Sequence, residues 1–165
     1  MAKRTDAAAG TPATLALARS GITFTAHAYP HDPRATEYGL EAAEKLGLDP
    51  DRVFKTLLAN VDGNLAVGIV PVTQLLDLKA LAQALGAKRA EMADPAVAER
   101  KTGYVVGGIS PIGQKVALPT VLDESAILAE TIFVSGGRRG LDLELAPDDL
   151  IAVTGGRYAP IARAR

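Results

Sequence analysis

Cysteine is absent from this 165-residue chain. Its absence excludes disulfides, thiolate metal sites and a cysteine nucleophile together, and fits a reducing compartment. Tryptophan is also absent, and only four Tyr and three Phe are present. That is too few for an aromatic platform on which unpaired bases stack, so a plain oligonucleotide binder is disfavoured. No apolar run approaches the roughly 18–20 residues of a membrane helix. The Ala-rich start, Met1 to Gly10, lacks the apolar stretch of a secretory signal. A cytoplasmic protein without a membrane partner is expected. Neither sign of charge prevails: 18 Lys and Arg against 19 Asp and Glu leave a net charge of −1. A polybasic, DNA-coating role is excluded, while a local basic patch is not. Two catalytic or phosphate-binding signatures are missing as well, Gly-x-Ser-x-Gly and Gly-x-x-x-x-Gly-Lys-Ser/Thr.

What is present describes an ordinary globular domain, 48% hydrophobic and 22% charged. Residues 1–10 read as a flexible tail and residues 11–165 as one domain. Thr11 and Pro12 open a helix that Gly21 closes. Residues 22–29 alternate at period two, as a half-buried strand does, and place Ile22 and Phe24 opposite His27. Residues 39–46 form a short helix. Strands at 53–61 and 65–70 flank Asp62-Gly63, a two-residue hairpin signal. Asp77 caps a helix to about Leu85, and Asp94-Pro95 opens another. Strands are expected at 116–122, 131–134 and 141–145, and a helix at 147–153. The spacing is too irregular for a doubly wound series. The expected fold class is α/β of the α+β kind, a mixed, curved, barrel-like sheet surrounded by short helices.

Four features carry candidate chemistry. His27 and His31 stand four apart beside Asp32, but on a strand running into Pro30 that spacing does not bring ligands together, and no third ligand is evident. No metal and no cofactor is expected, and a hydrogen-bonded turn is the simpler reading. Gly136-Gly-Arg-Arg-Gly140 reads either as a tight loop or as main-chain N–H groups and two guanidiniums facing an anion. Gly107-Gly-Ile-Ser-Pro-Ile-Gly113 specifies an unusual rigid backbone, able to aim N–H groups at a carbonyl oxygen or to serve as a structural turn. Lys55 puts one cation inside the apolar run 53–58; it either snorkels to solvent or points into a pocket.

Taken in order, Thr11-Pro-Ala13, His27-Ala-Tyr-Pro-His-Asp32, Phe54-Lys-Thr-Leu-Leu58, Lys101-Thr-Gly-Tyr-Val-Val-Gly-Gly-Ile-Ser-Pro-Ile-Gly-Gln-Lys115 and Val134-Ser-Gly-Gly-Arg-Arg-Gly-Leu-Asp-Leu-Glu144 form a pattern. It closely resembles the YbaK-type Cys-tRNA(Pro) deacylases, of the prolyl-tRNA synthetase editing-domain superfamily, from about Thr11 to the last residue. The resemblance implies deacylation of tRNA(Pro) mischarged with cysteine. It assigns Lys55 to the family's required lysine. It assigns residues 107–111 to the loop that holds the terminal adenosine and the ester, with Gly107, Gly108 and Ser110 in catalytic support and Ile109 and Pro111 in substrate binding. Tyr29, Tyr38, Gly137 and Asp142 fall at pocket positions, with Tyr38 replacing a residue that is often Phe. Lys101, Lys115, Arg138 and Arg139 are candidates for a phosphate-facing rim.

An aminoacyl ester is already activated, so positioning and charge stabilisation suffice. The resemblance implies that the cysteinyl thiol attacks its own ester and leaves as a thiolactone; attack by water is the other route. It also implies that recognition of tRNA(Pro) is borrowed by acting in trans beside prolyl-tRNA synthetase. The alternatives are editing of Ala- or Ser-charged tRNA, and a non-catalytic module that binds tRNA ends or the synthetase.

Overall fold

The computed structural model describes residues 10–165; residues 1–9, most of the expected tail, lie outside them. The described residues form ten strands and five helices, in the order α1 (Pro12–Ser20), β1 (Thr25–Ala28), α2 (Tyr38–Leu46), β2 (Phe54–Val61), β3 (Asn64–Pro71), β4 (Gln74–Leu76), α3 (Leu78–Ala84), β5 (Ala90–Met92), α4 (Pro95–Thr102), β6 (Thr120–Asp123), β7 (Ile132–Ser135), β8 (Leu141–Leu145), α5 (Pro147–Thr154), β9 (Arg157–Ala159) and β10 (Ala162–Ala164). Short 3-10 turns at Pro50–Arg52 and Glu124–Leu128 lead into β2 and out of β6.

Local chemistry sets most of the boundaries. Thr11 Oγ1 accepts the Thr14 N–H at the start of α1, and Asp77 and Asp94 do the same for Ala80 and Ala96. At the β2–β3 hairpin Asp62 and Gly63 both take positive φ, 50° and 89°, as a tight turn matched to strand twist requires. Asp62 also accepts the N–H groups of Lys88 and Arg89, which delivers the chain to β5.

The strands form three sheets. The largest has the order β5-β2-β3-β6-β9, antiparallel across β5-β2-β3 and parallel across β3-β6-β9. A second, antiparallel sheet has the order β1-β8-β7, and β10 pairs with β4. One parallel bridge, Val53 to Phe133, fastens the first two together. The mixed α/β architecture is the expected one; the sheets do not close into a barrel. The strand expected from 116 begins only at Thr120, because Lys115 and Val116 give their N–H groups to Thr102 and Lys101 at the end of α4. The strand expected over 22–29 shortens to β1. Strands β4, β5, β9 and β10 have three residues each, too few to show a period in sequence.

The main core lies between β1-β8-β7 and one face of the large sheet, closed by α1, α4 and α5, with Leu17, Ile69, Leu122, Leu143 and Leu150 fully enclosed. A second core, Leu81, Val121 and Ile161 among others, fills the opposite face of the large sheet. Asp123, 5% exposed, ties that region together. Its Oδ1 accepts the N–H groups of Ile161 and Ala162, both at 2.9 Å, and its Oδ2 accepts from Ser125. Replacing it by Ala strands buried donors. Asp123→Ala should cost roughly 2–4 kcal/mol of stability, read as a lower urea midpoint, and Asp123→Asn, which keeps an acceptor, should cost less.

Candidate active site

The two large sheets part just beyond the Val53–Phe133 bridge. On that edge β5 joins β2 only from Ala59 onward. The length of β2 between these attachments therefore has no strand paired with it on that edge, and a cavity of about 370 Å³ opens there. Lys55 and Thr56 from β2, Tyr38 from α2, Gly107 and Ile109 from the glycine-rich loop, and Ser135 and Asp142 from β7 and β8 reach its wall. Phe54, Leu58, Ala93 and Ala98 make much of the remainder apolar. The alternation of β1, β8 and β7 explains the polar side. Leu141, Leu143 and Val134 face the main core, so Asp142, Ser135, His27 and Glu144 occupy the other face.

Two ionisable groups there are perturbed by burial. The ammonium of half-buried Lys55 makes no hydrogen bond or ion pair among the described residues. Burial holds its ammonium below the usual lysine range; the charge of Arg165 adds to this and Glu37 opposes it. Arg165 is itself placed by a 3.1 Å bond to the Val72 carbonyl, and its guanidinium is 3.9 Å from Glu37. Asp142 is 6% exposed and forms no ion pair among the described residues; burial raises its pKa to about 7. Tyr29, on the same wall, is pushed up to about 12 by burial and by Asp142, so its phenol keeps its proton. Its main-chain N–H bonds the Gly140 carbonyl.

Two glycine-rich loops interlock at the rim. A Cβ on Gly108 would lie 2.7 Å from the Arg138 Cα, and one on Gly107, whose φ is 89°, would lie 2.8 Å from Arg139 Nε. Only glycine allows that approach. Arg139 clamps the junction. Its Nε and Nη2 donate to the Val106 carbonyl at 3.0 and 2.6 Å, and its guanidinium lies 4.8 Å from the Tyr38 ring centre. Tyr104 holds the loop from below through its hydroxyl, which donates to the Ile112 carbonyl.

Of the residues singled out in sequence, Lys55, Tyr29, Tyr38, Gly107, Ile109 and Asp142 line the cavity. Others do not. The Gly108 N–H is spent on the Val105 carbonyl, which removes it as an oxyanion donor; the N–H groups of Gly107 and Ile109 have no partner among the described residues. Ser110 is fully enclosed and its Oγ accepts the Ile112 N–H, so it braces the loop from behind the wall. Pro111 is buried beside it. Gly137 packs against Tyr104 and Thr11. Arg139 is engaged in the clamp rather than held out as a lone cation, and Arg138 is exposed beside it. Lys101 and Lys115 are exposed and adjacent through the main-chain bonds at the end of α4.

The histidines serve the frame. His27 bonds Glu144 at 2.9 Å, and Glu144 in turn takes Thr131 and pairs with Arg52. His31 bonds Glu41 at 2.7 Å, where the sequence suggested a main-chain partner, and Glu41 also takes the Asp32 N–H. No cluster of three potential metal ligands exists among the described residues. The cavity wall contains no histidine, so it holds no Ser–His pair. Its means are charge, donors and shape. Sequence reasoning missed Arg165 and Thr56: the first lies far along the chain from any motif, and the second is masked by the neighbouring lysine.

This geometry defines a site that positions and polarises rather than attacks. The chain belongs to the aminoacyl-tRNA editing domain family, whose model matches residues 33–153. Over 121 residues it is 46% identical to a candidate Cys-tRNA(Pro)/Cys-tRNA(Cys) deacylase, EbsC, of Enterococcus faecalis, covering 72% of this chain and 73% of that protein. It is 31% identical over 100 residues to the proline–tRNA ligase of Maridesulfovibrio salexigens, covering 61% of this chain but only 17% of the ligase. The fold is shared with the crystal structure of a candidate trans-editing enzyme for prolyl-tRNA synthetase: TM-score 0.83 at 24% identity, over 97% of this chain and 99% of the other.

The raised pKa of Asp142 has a thermodynamic consequence. Between the ordinary carboxylate range and about 7 the folded chain keeps a proton that the unfolded chain has lost, so stability falls as pH rises through that window. Urea unfolding at pH 4.5 and pH 8 should show Asp142→Asn gaining on the wild type by roughly 2–4 kcal/mol at the higher pH.

Proposed function

We propose that this chain deacylates mischarged Cys-tRNA(Pro) in trans, with the editing domain running from residue 11 to residue 165. The observation that carries this reading is the cavity itself: an unpaired lysine ammonium, unpartnered N–H groups on Gly107 and Ile109 and a buried carboxyl converge on an apolar pocket that offers no Ser–His nucleophile. The name of the Enterococcus faecalis relative supports the choice of cysteine. The packing of Ala13 and Leu17 into the core, and of Arg165 at the cavity, supports the wider boundaries.

In this reading Lys55 binds the tRNA end and stabilises negative charge there, and Gly107 and Ile109 direct N–H groups at the ester carbonyl, where that charge develops. Tyr29 and Tyr38 form walls, with Tyr38 held by Arg139. The attacking group arrives with the substrate. The cysteinyl sulfur adds to the carbonyl carbon, the ester C–O bond breaks, and the terminal ribose hydroxyl leaves with the proton the thiol gave up. The product is a thiolactone, which water then opens. Direct attack by water gives free cysteine at once. Exposed Lys101, Lys115 and Arg138 supply weak, salt-sensitive contacts to phosphates, and a transient complex with prolyl-tRNA synthetase supplies tRNA selection.

Deacylation of Cys-tRNA(Pro), with Ala- and Ser-tRNA(Pro) in parallel, tests this. Lys55→Ala should lose at least about 100-fold in rate, of the order of one removed electrostatic stabiliser, while its circular dichroism stays native. Full activity in that variant overturns the role of Lys55. Trapping a thiolactone supports sulfur attack; immediate free cysteine supports water. Preference for Ala- or Ser-tRNA moves the specificity without moving the site.

A further inference from the structure

Among the described residues the one buried side-chain polar atom without a partner is Thr56 Oγ1. Buried hydroxyls are nearly always bonded, and leaving one unbonded costs stability. Thr56 lies in the middle of β2 and lines the cavity. Its main chain is equally placed. The Val53 carbonyl bonds Val72 on the β3 side, and the Leu58 carbonyl bonds Ala93 on the opposite edge. Main-chain groups alternate between the two edges residue by residue, so Thr56, like Leu58, turns its N–H and C=O away from β3. No strand pairs with it on that edge, since pairing with β7 is confined to the Val53–Phe133 bridge and pairing with β5 starts only at Ala59. One residue of the cavity wall thus carries an unpaired main-chain edge and an unbonded hydroxyl.

The chemistry that fits such an edge both gives and takes hydrogen bonds side by side. An ammonium only donates; a phosphate or carboxylate only accepts. The 6-amino group of adenine beside a ring nitrogen does both in one plane, and unpaired bases are recognised along such edges. Phe54, Leu58, Ala93 and Ile109 supply apolar surface for the faces of the ring. We propose that Thr56 reads the adenine of the substrate's terminal nucleotide: its C=O and hydroxyl take the two amine protons and its N–H meets the ring nitrogen. This inference rests on the proposed function and adds the residue that recognises the base.

The test is a double-mutant cycle on the full chain. Two hydrolysis-resistant amides are titrated by calorimetry, 3′-cysteinylamino-3′-deoxyadenosine and its purine counterpart lacking the 6-amino group. The wild type should bind the purine compound at least tenfold more weakly. Thr56→Val should bind the adenosine compound about tenfold more weakly than the wild type, and the cost of losing the amine should shrink by threefold or more. Its Tm should equal or exceed that of the wild type, because an unbonded buried hydroxyl has gone; a merely structural role lowers Tm and leaves discrimination intact. Thr56→Ser should restore discrimination. Equal binding of both amides by the wild type overturns the inference without needing any variant, and so does an undiminished amine effect in Thr56→Val. A wild type that deacylates Cys-tRNA(Pro) but binds neither amide overturns the role of Thr56 alone; one that neither deacylates nor binds overturns the proposed function with it.

Discussion

A single parallel bridge between Val53 and Phe133 sets the geometry on which the site depends. It is the one point, among the described residues, at which the three-stranded sheet pairs with the five-stranded one, at the residue before β2. Were the pairing to continue, β7 would cover the edge of β2 and fill the cavity with its own main chain. It stops because β7 runs into Ser135 and then into the Gly136-Gly137 turn, where the chain bends back to β8. The opening is therefore a gap in β pairing rather than a groove on a finished surface. Such a gap leaves main-chain groups without strand partners, which folded proteins normally avoid; here it is shielded by apolar side chains and by two glycine-rich loops.

Those loops act as one unit. Gly107 and Gly108 permit the 136–140 segment to approach at main-chain distance, and Arg139 returns across the junction to bond Val106 and stack on Tyr38. The rim is thus fixed by a cation that composition alone would assign to phosphate binding. Behind it, Ser110 and Tyr104 hold the loop through bonds that never face the cavity. The electrostatics follow the same economy. Lys55 and Asp142 are perturbed mainly because they are buried, and neither side chain has an ion-pair partner among the described residues. A site built from unpaired charges and spare donors suits a substrate that brings its own electrophile and, in the proposed reaction, its own nucleophile.

Much of this was legible along the chain. Caps at Thr11, Asp77 and Asp94, the Asp62-Gly63 turn and the alternation around His27 gave nearly every long element, because each depends on interactions within a few residues. The motifs also held Lys55, Gly107 and Asp142 in plain view, and the resemblance they carry agrees with membership of the editing-domain family. The three-residue strands escaped notice, since their pairing partners lie far away in sequence and no local period marks them.

The sequence by itself determined the residue types available, the turns, and a chemistry without thiols. It also determined that glycine must stand at 107 and 108, although the reason, contact with Arg138 and Arg139, is visible only in three dimensions. Tertiary structure alone decided which polar groups are free. It consumed the Gly108 N–H in a turn, enclosed Ser110, drew Arg139 into the rim, and brought Arg165 from the far end of the chain beside Lys55. The physical reason is that availability is a property of what stands opposite a group, and strand pairing and loop packing set that between residues whose separation in sequence carries no signal.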